Sequence, residues 1–171
     1  VSLIESKNLE EVAYYRETTA FVKEMKEVGM YTNLIVTGHS LGGGLAMITG
    51  AQSGVPSIGL SGPNAVLSRK TFEPEISLEA LEKYTFNIVP DRDPVPRIDD
   101  LSQNFQRIKC TAPASKPVDC HFSKRSLCEI LFTCGSNGRP IPCDCANKYD
   151  YPKPVSTSGA VFSDVCPERD V

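Results

Sequence analysis

The chain has 171 residues, of which 40% are hydrophobic and 23% charged, and its formal net charge is −3 at pH 7. A chain of this length can bury the core of a single domain. The mildly acidic balance, without basic clusters, argues against nucleic acid as a partner. No segment approaches the roughly 18 consecutive apolar residues of a membrane-spanning helix, so the sequence predicts no transmembrane segment.

The first predicted element is a helix over residues 9–28. Asn8 is a suitable N-cap, Glu11 stands three residues later as its capping-box partner, and Gly29 is a suitable end. The helical period places five apolar residues near one face: Val12, Tyr15, Phe21, Val22 and Met25. We interpret these residues, together with Tyr14, as packing residues.

The segment NLIVTGHSLGGGLAM that follows indicates a strand, a sharp turn and a helix. Leu34–Val36 is a short apolar run typical of a buried parallel strand. Leu41–Thr49 has the composition of a helix. Between them, Gly38-His39-Ser40-Leu41-Gly42 has the G-x-S-x-G form of a nucleophile elbow. We refer to residues 38–42 as the nucleophile turn.

Each residue of the nucleophile turn has an expected role. Because Ser40 has a strained backbone conformation, Gly38 and Gly42 are predicted to crowd each other, and their hydrogen side chains to relieve that crowding. The serine hydroxyl is then raised above the sheet, and the backbone N–H of Leu41 is positioned to donate to an oxyanion. His39 points in a different direction from Ser40, so we expect it to pack or hydrogen-bond beneath the turn.

The rest of the chain continues the alternation of strands and helices. In order, we predict a strand over Ser57–Leu60, a turn at Ser61–Asn64, a short polar helix or loop over Pro74–Lys83, a strand over Tyr84–Val89, and a helix over Ser123–Cys134 that Gly135 ends. This alternation predicts an α/β fold with a mostly parallel sheet and helices on both faces.

Two motifs resemble a known family. The run GHSLGGGLA is similar to the nucleophile region of the fungal-type class 3 lipases, in the α/β-hydrolase superfamily. Asp93-Pro94-Val95-Pro96 resembles the D-x-V-P context of that family's triad aspartate, and Ser61-Gly62-Pro63-Asn64-Ala65 resembles its small-residue loop. The resemblance covers roughly residues 8–135.

The resemblance implies a serine-dependent ester hydrolase that acts on lipids, most simply on acylglycerols at a lipid–water interface. It implies neither a metal nor an organic cofactor. Members of the family place several strands, a lid helix and a second oxyanion donor ahead of this point. The resemblance therefore implies a partial α/β-hydrolase fold, the C-terminal portion of a longer protein.

A catalytic triad needs a histidine to take the serine proton and a carboxylate to orient that histidine. The chain has two histidines, and His39 adjoins the nucleophile, which leaves His121 as the candidate base. The family's chain order of serine, aspartate and histidine agrees with Ser40, Asp93 and His121. Asp91 is a rival carboxylate, but the Pro-Val-Pro that follows Asp93 favours the latter. We interpret Asp99 and Asp100 as solvated loop charges.

All seven cysteines lie after residue 109: Cys110, Cys120, Cys128, Cys134, Cys143, Cys145 and Cys166. This clustering predicts three disulfide bridges with one odd cysteine, and hence a secreted or lumenal protein. We expect residues 1–135 to form the catalytic portion and residues 136–171 an irregular, bridged tail. A zinc site at Cys120, His121, Cys143 and Cys145 is the competing interpretation.

Three alternative functions remain open at the level of the sequence. The first is another activity on the same fold, such as a phospholipase, a feruloyl-type esterase or an acyltransferase. The second is a catalytically silent, disulfide-bridged binding module. The third is a zinc-binding cysteine module joined to the remnant of a hydrolase.

Overall fold

A computed structural model of the chain describes residues 13–102 and 104–153. The predictions for Asn8, Glu11, Val12 and Cys166 lie outside the described residues. Two compact units are present. The first consists of the described residues up to Val89 together with Pro94–Arg107, and the second consists of Pro90–Asp93 and the described residues from Ile108 onward. The two units do not test the predicted extent of the catalytic portion, residues 1–135, which stays a prediction.

The first unit is built on a four-stranded sheet in the order β1-β2-β3-β4. Its strands are β1 (Val36–His39), β2 (Ser57–Leu60), β3 (Thr85–Pro90) and β4 (Phe105–Ile108). Strand β2 pairs in parallel with both β1 and β3. The bonds from Asn87 N to Asn104 O and from Asp91 N to Ile108 O advance in step, so β4 is also parallel to β3. The predicted α/β fold with a parallel sheet is confirmed.

Among its described residues, the first unit contains three α-helices. They are α1 (Tyr14–Val28), α2 (Leu41–Ser53) and α3 (Leu78–Tyr84), with short 3-10 turns at Ser68–Thr71 and Val95–Arg97. Helix α2 packs on β1 and β2, and both α1 and α3 pack on α2. A small core of Ala51, Ala65, Ile76 and Leu81 includes residues of both α2 and α3. Placement of helices on both faces of the sheet stays a prediction.

Several element boundaries differ from the sequence-based ones. Strand β2 has the predicted bounds, whereas β1 begins at Val36 rather than Leu34, because the hydrogen bond from Val36 N to Pro56 O is the first rung of its ladder. The prediction that Phe21 and Tyr14 are packing residues is wrong, because Phe21 is 60% exposed and Tyr14 is 61% exposed. The outermost strand β4 has no counterpart in the predictions.

The second unit combines short helices with disulfide bridges. A 3-10 turn (Pro117–His121) leads to α4 (Ser123–Cys134), and α5 (Cys143–Asn147) follows. Helix α4 has its predicted bounds, and Gly135 follows it with a φ of 87°. One bridge joins Cys110 to Cys120 and another joins Cys128 to Cys145. Cys143 is also disulfide-bonded, and Cys134 is an exposed free thiol.

Part of the predicted tail, residues 136–153, lies within the described residues. It contains α5, and Cys145, Tyr149 and Tyr151 are buried in a cluster with Cys128. The Cys128–Cys145 bridge holds these residues against α4, and the irregular, bridged tail over residues 136–171 stays a prediction. Within the described residues, no helix is long and apolar enough to cross a membrane.

A buried polar cluster accompanies the second bridge. The Glu129 carboxylate accepts hydrogen bonds from the Tyr151 hydroxyl at 2.7 Å and from Thr133 Oγ1 at 2.9 Å. Burial of the phenol and the adjacent Glu129 charge raise the pKa of Tyr151. The guanidinium of Arg125 lies over the Tyr149 ring and donates to Thr111 Oγ1. Hydrogen bonding thus compensates for part of the cost of burying these polar groups.

Candidate active site

Ser40 stands at the junction of β1 and α2 in a sparsely populated backbone conformation. Its φ is 58° and its ψ is −129°, values that a residue with a side chain adopts at a cost of about 1–3 kcal/mol. Its N–H donates to Leu60 O at 3.0 Å, which extends the β1–β2 ladder to the turn. Although serine is a preferred helix N-cap, the Ser40 side chain makes no capping bond to α2. The Ser40 hydroxyl therefore does not accept a hydrogen bond from the first backbone N–H groups of α2.

The two glycines of the nucleophile turn differ in their steric role. A Cβ at Gly38 would lie 2.1 Å from the Gly42 carbonyl oxygen, a distance that no real structure allows. A Cβ at Gly42 would meet nothing within 4 Å. The predicted crowding between positions 38 and 42 is therefore confirmed for a side chain at Gly38. The expected need for a hydrogen side chain at Gly42 is wrong. It is the backbone of Gly42 that fills the space above Gly38.

The amino end of α2 presents backbone donors beside the serine. Gly43 N and Gly44 N both donate to Ser40 O, at 2.9 and 3.2 Å. The N–H of Leu41 belongs to the first turn, where the helix itself offers no acceptor, and the helix dipole is positive at this end. The N–H of Leu41 can therefore stabilise negative charge that develops next to Ser40.

Asp93 and His121 form a hydrogen-bonded pair in the second unit. His121 Nδ1 lies 3.1 Å from Asp93 Oδ1 and 3.0 Å from Asp93 Oδ2. The Asp93 side chain has no exposed surface, whereas the His121 side chain is 20% exposed. With Nδ1–H donating to the carboxylate, the ring is held in the tautomer whose Nε2 accepts a proton. It is Asp93, and not the rival Asp91, that meets the histidine.

A closed circuit of contacts fixes this pair. Arg92, next to Asp93 in the chain, donates through one guanidinium nitrogen to Cys110 O and Ala112 O, both at 2.7 Å. Cys110 is bridged to Cys120, which directly precedes His121. The circuit therefore runs from the acid through Arg92 and the disulfide to the histidine and back. The sequence held no signal for Arg92, because an arginine between two aspartates is ordinarily a surface charge.

Asp99 is not the solvated charge that the sequence indicated. Its carboxylate accepts hydrogen bonds from Leu67 N, Ser68 N and Ser68 Oγ, at 2.7 to 2.9 Å, and also from Asp100 N. Partial burial opposes the charged form, but these hydrogen bonds outweigh it and lower the pKa of Asp99. The prediction for Asp99 is wrong because a distant segment of the chain, Leu67 and Ser68, donates to its side chain.

The residues considered as zinc ligands form other bonds. Cys120, Cys143 and Cys145 are disulfide-bonded, so they are not thiolates, and His121 is bonded to Asp93. No group of three or more metal-ligating side chains occurs among residues 13–102 and 104–153. Of the predicted triad, Asp93 and His121 are brought together in the second unit, and Ser40 lies in the first unit.

Comparison of the chain with known protein families, with curated proteins and with solved structures found no match.

Proposed function

We propose that this chain carries the catalytic serine, histidine and aspartate of an ester hydrolase with an α/β-hydrolase fold of the class 3 lipase kind. The observation that carries the proposal is Ser40, held at a φ of 58° between a parallel strand and the amino end of a helix. Such a strained strand-to-helix turn is the structural context that a G-x-S-x-G motif requires. The Asp93–His121 pair supports the same assignment independently.

In the proposed reaction, Ser40 Oγ attacks the ester carbonyl while His121 Nε2 takes its proton. Asp93 stabilises the imidazolium, and the N–H of Leu41 donates to the tetrahedral oxyanion. His121 then protonates the departing alcohol, which leaves Ser40 acylated. A water molecule that gives its proton to His121 attacks the acyl group, and the carboxylic acid departs as the serine regains its proton.

The surroundings of these residues support an apolar acyl group. The side chain of Leu41, directly after the nucleophile, is 66% exposed. In the second unit, Phe122 follows His121 directly and Val118 precedes it by three residues, and both are exposed. Apolar side chains exposed next to catalytic groups favour substrates that bury hydrocarbon on binding. We therefore propose a lipid ester, in the simplest case an acylglycerol, as the substrate.

The disulfides support a place of action outside the reducing cytosol. Bridges such as Cys110–Cys120 and Cys128–Cys145 form and persist in oxidising compartments. We propose a secreted or lumenal enzyme on this ground.

The test is covalent labelling with a fluorophosphonate, which reacts only with an activated serine. We expect the wild type to be labelled, and Ser40→Ala to give no labelling. His121→Ala and Asp93→Asn should lower the labelling rate by roughly 10³-fold or more, because each removes part of the proton-transfer machinery. The matched control is Asp91→Asn, which makes the same chemical change two residues from Asp93 and should label like the wild type.

Each outcome separates a different part of the proposal. Loss of labelling in Ser40→Ala alone, with His121→Ala labelled normally, keeps the nucleophile and rejects the base. No labelling of a folded wild type rejects the hydrolase and favours the silent binding module. Circular dichroism of every variant establishes that the loss does not come from unfolding.

A further inference from the structure

We propose that Asn87 is a positioning residue for the candidate active site. It acts through a relay of side-chain amides that runs from β3 to the turn after β2 and to the 3-10 turn Val95–Arg97. The inference rests on the proposed function, and it concerns residues of the first unit only. Asn87 and Asn64 form the relay. We refer to Ser61–Asn64, which follows β2, as the supporting loop.

Asn87 is fully buried on β3, and its amide binds the supporting loop as a neighbouring strand would. Its Nδ2 donates to Gly62 O at 2.9 Å, and its Oδ1 accepts from Gly62 N at 3.4 Å. The same Nδ2 donates to Asn64 Oδ1 at 3.0 Å. A buried polar side chain in the middle of a parallel strand is costly unless it is hydrogen-bonded. Here its polar atoms are directed at one loop.

Asn64 carries the relay onward to the turn that follows the catalytic acid in the chain. Its Nδ2 donates to Pro96 O at 2.6 Å, and its backbone N–H donates to Ile98 O at 3.1 Å. Pro96 belongs to the 3-10 turn Val95–Arg97, which begins two residues after Asp93. The amide of Asn64 therefore accepts from β3 and donates to this turn at the same time.

The supporting loop in turn sits against the nucleophile turn. A Cβ at Gly43 would lie 3.0 Å from the Gly62 Cα, and one at Gly44 would lie 2.8 Å from the Pro63 ring. At this separation the loop and the first turn of α2 are in backbone contact. A shift of Gly62 is therefore transmitted to the residues that hold Ser40, because close-packed backbone does not absorb displacement.

The inference follows from these three links. Asn87 sets the position of the supporting loop, the loop sets the position of the nucleophile turn, and Asn64 ties the same loop to the segment that begins after Asp93. A misplacement of about 1 Å between reacting groups can cost on the order of 10²-fold in rate. Asn87 contributes to catalysis by fixing this geometry, without touching the substrate.

Two variants break the relay at different links. Asn87→Asp keeps the size of the side chain but removes both donated hydrogen bonds. Asn64→Asp still accepts from Asn87 and loses only the bond to Pro96 O, so it keeps the relay testable if Asn87→Asp does not fold. The matched control is Thr85→Val, which removes a buried hydrogen bond (Thr85 Oγ1 to Leu81 O, 2.7 Å) at the amino end of the same strand.

Kinetics on a water-soluble ester, hydrogen exchange and fluorophosphonate labelling are measured below the melting temperature of each variant. We expect kcat to fall about tenfold or more in Asn87→Asp and Asn64→Asp with KM within about twofold, and amide exchange over residues 41–47 to accelerate. Thr85→Val should lower the melting temperature while leaving kcat and that exchange unchanged.

Two results would overturn the inference in distinguishable ways. If the wild type is labelled but Asn64→Asp keeps its kcat, or Thr85→Val loses as much, the positioning role is rejected and the hydrolase stands. If the folded wild type is not labelled at all, the proposed function is rejected and the positioning role falls with it.

Discussion

The first unit has no described cysteine and the second unit contains two described bridges, yet each contributes part of the proposed triad. In the first unit, Ser40 is held by a strand ladder, by backbone packed on glycine and by buried amides. In the second, the Asp93–His121 pair is held by Arg92 and a disulfide. The parallel sheet fixes Ser40 through repeated hydrogen bonds, whereas in the second unit a disulfide closes the loop that leads directly to His121.

From this comparison we expect that, in the first unit, crowding of the backbone has the largest effect on stability and on labelling. Gly38→Ala places a methyl group 2.1 Å from the Gly42 carbonyl oxygen, so the turn must move. We expect a loss at or above the upper end of the roughly 1–3 kcal/mol usual for overpacking. Fluorophosphonate labelling should fall with it, because Ser40 moves with the turn. Chemical denaturation and labelling measure the two effects.

Gly42→Ala is the control for that change, and its effect has the opposite sign. A Cβ there meets open space, and alanine is favoured over glycine within a helix by up to about 1 kcal/mol. Its free energy of unfolding should equal or exceed that of the wild type. A destabilised Gly42→Ala together with a tolerated Gly38→Ala would contradict the packing described for the nucleophile turn.

The second unit should instead be most sensitive to loss of a cross-link. Replacing Cys110 and Cys120 together by serine opens a loop with a sequence separation of 10, which we expect to cost about 2–3 kcal/mol. It also opens the circuit through Arg92, so the labelling rate should fall. The double replacement of Cys128 and Cys145, with a separation of 17, should lower the stability by about as much. It should lower the labelling rate by less than the replacement of Cys110 and Cys120. Equal labelling losses in the two double variants would show that the circuit does not orient His121.

The smallest expected effect concerns Asp99, whose hydrogen bonds lower its pKa below the ordinary value of 3.8. A carboxyl with a depressed folded-state pKa stabilises the fold above its unfolded pKa, and this contribution is lost as the pH falls through the folded pKa. Asp99→Asn, which tolerates the positive φ of this residue, should therefore cost about 1 kcal/mol or less at pH 7, because solvent screens the group. The difference from the wild type should shrink below pH 4. Urea denaturation at pH 7 and pH 3 tests this, and a constant difference would contradict it.

The sequence predicted those features that have a local physical cause. Strand β2, helix α4 and the nucleophile turn follow from apolar runs and from glycines at fixed positions. The approach of His121 to Asp93 was reached from the chemistry of a triad and from the scarcity of histidine. Strand β4 was missed because Phe-Gln-Arg-Ile has no alternation that distinguishes an outer strand from a loop.

Other features depend on contacts between distant parts of the chain, which composition does not encode. The bonds from Leu67 and Ser68 to Asp99 span more than 30 positions. Asparagine is rare in strands, so the sequence alone does not explain a buried Asn87 on β3. Its hydrogen bonds to Gly62 and Asn64 do explain it. The exposure of Phe21 likewise cannot be read from a helical period alone, because the period identifies faces and not their partners.

The division of the chain has a practical consequence for attempts to dissect the protein. Pro90–Asp93 belongs to the second unit although the first unit's chain both precedes and follows it. A gene cut once between residues 107 and 108 would therefore yield one piece with the histidine and another with its aspartate. No single cleavage separates the units while keeping that pair on one polypeptide, so complementation of two co-expressed pieces, rather than isolated expression, is the suitable way to study them apart.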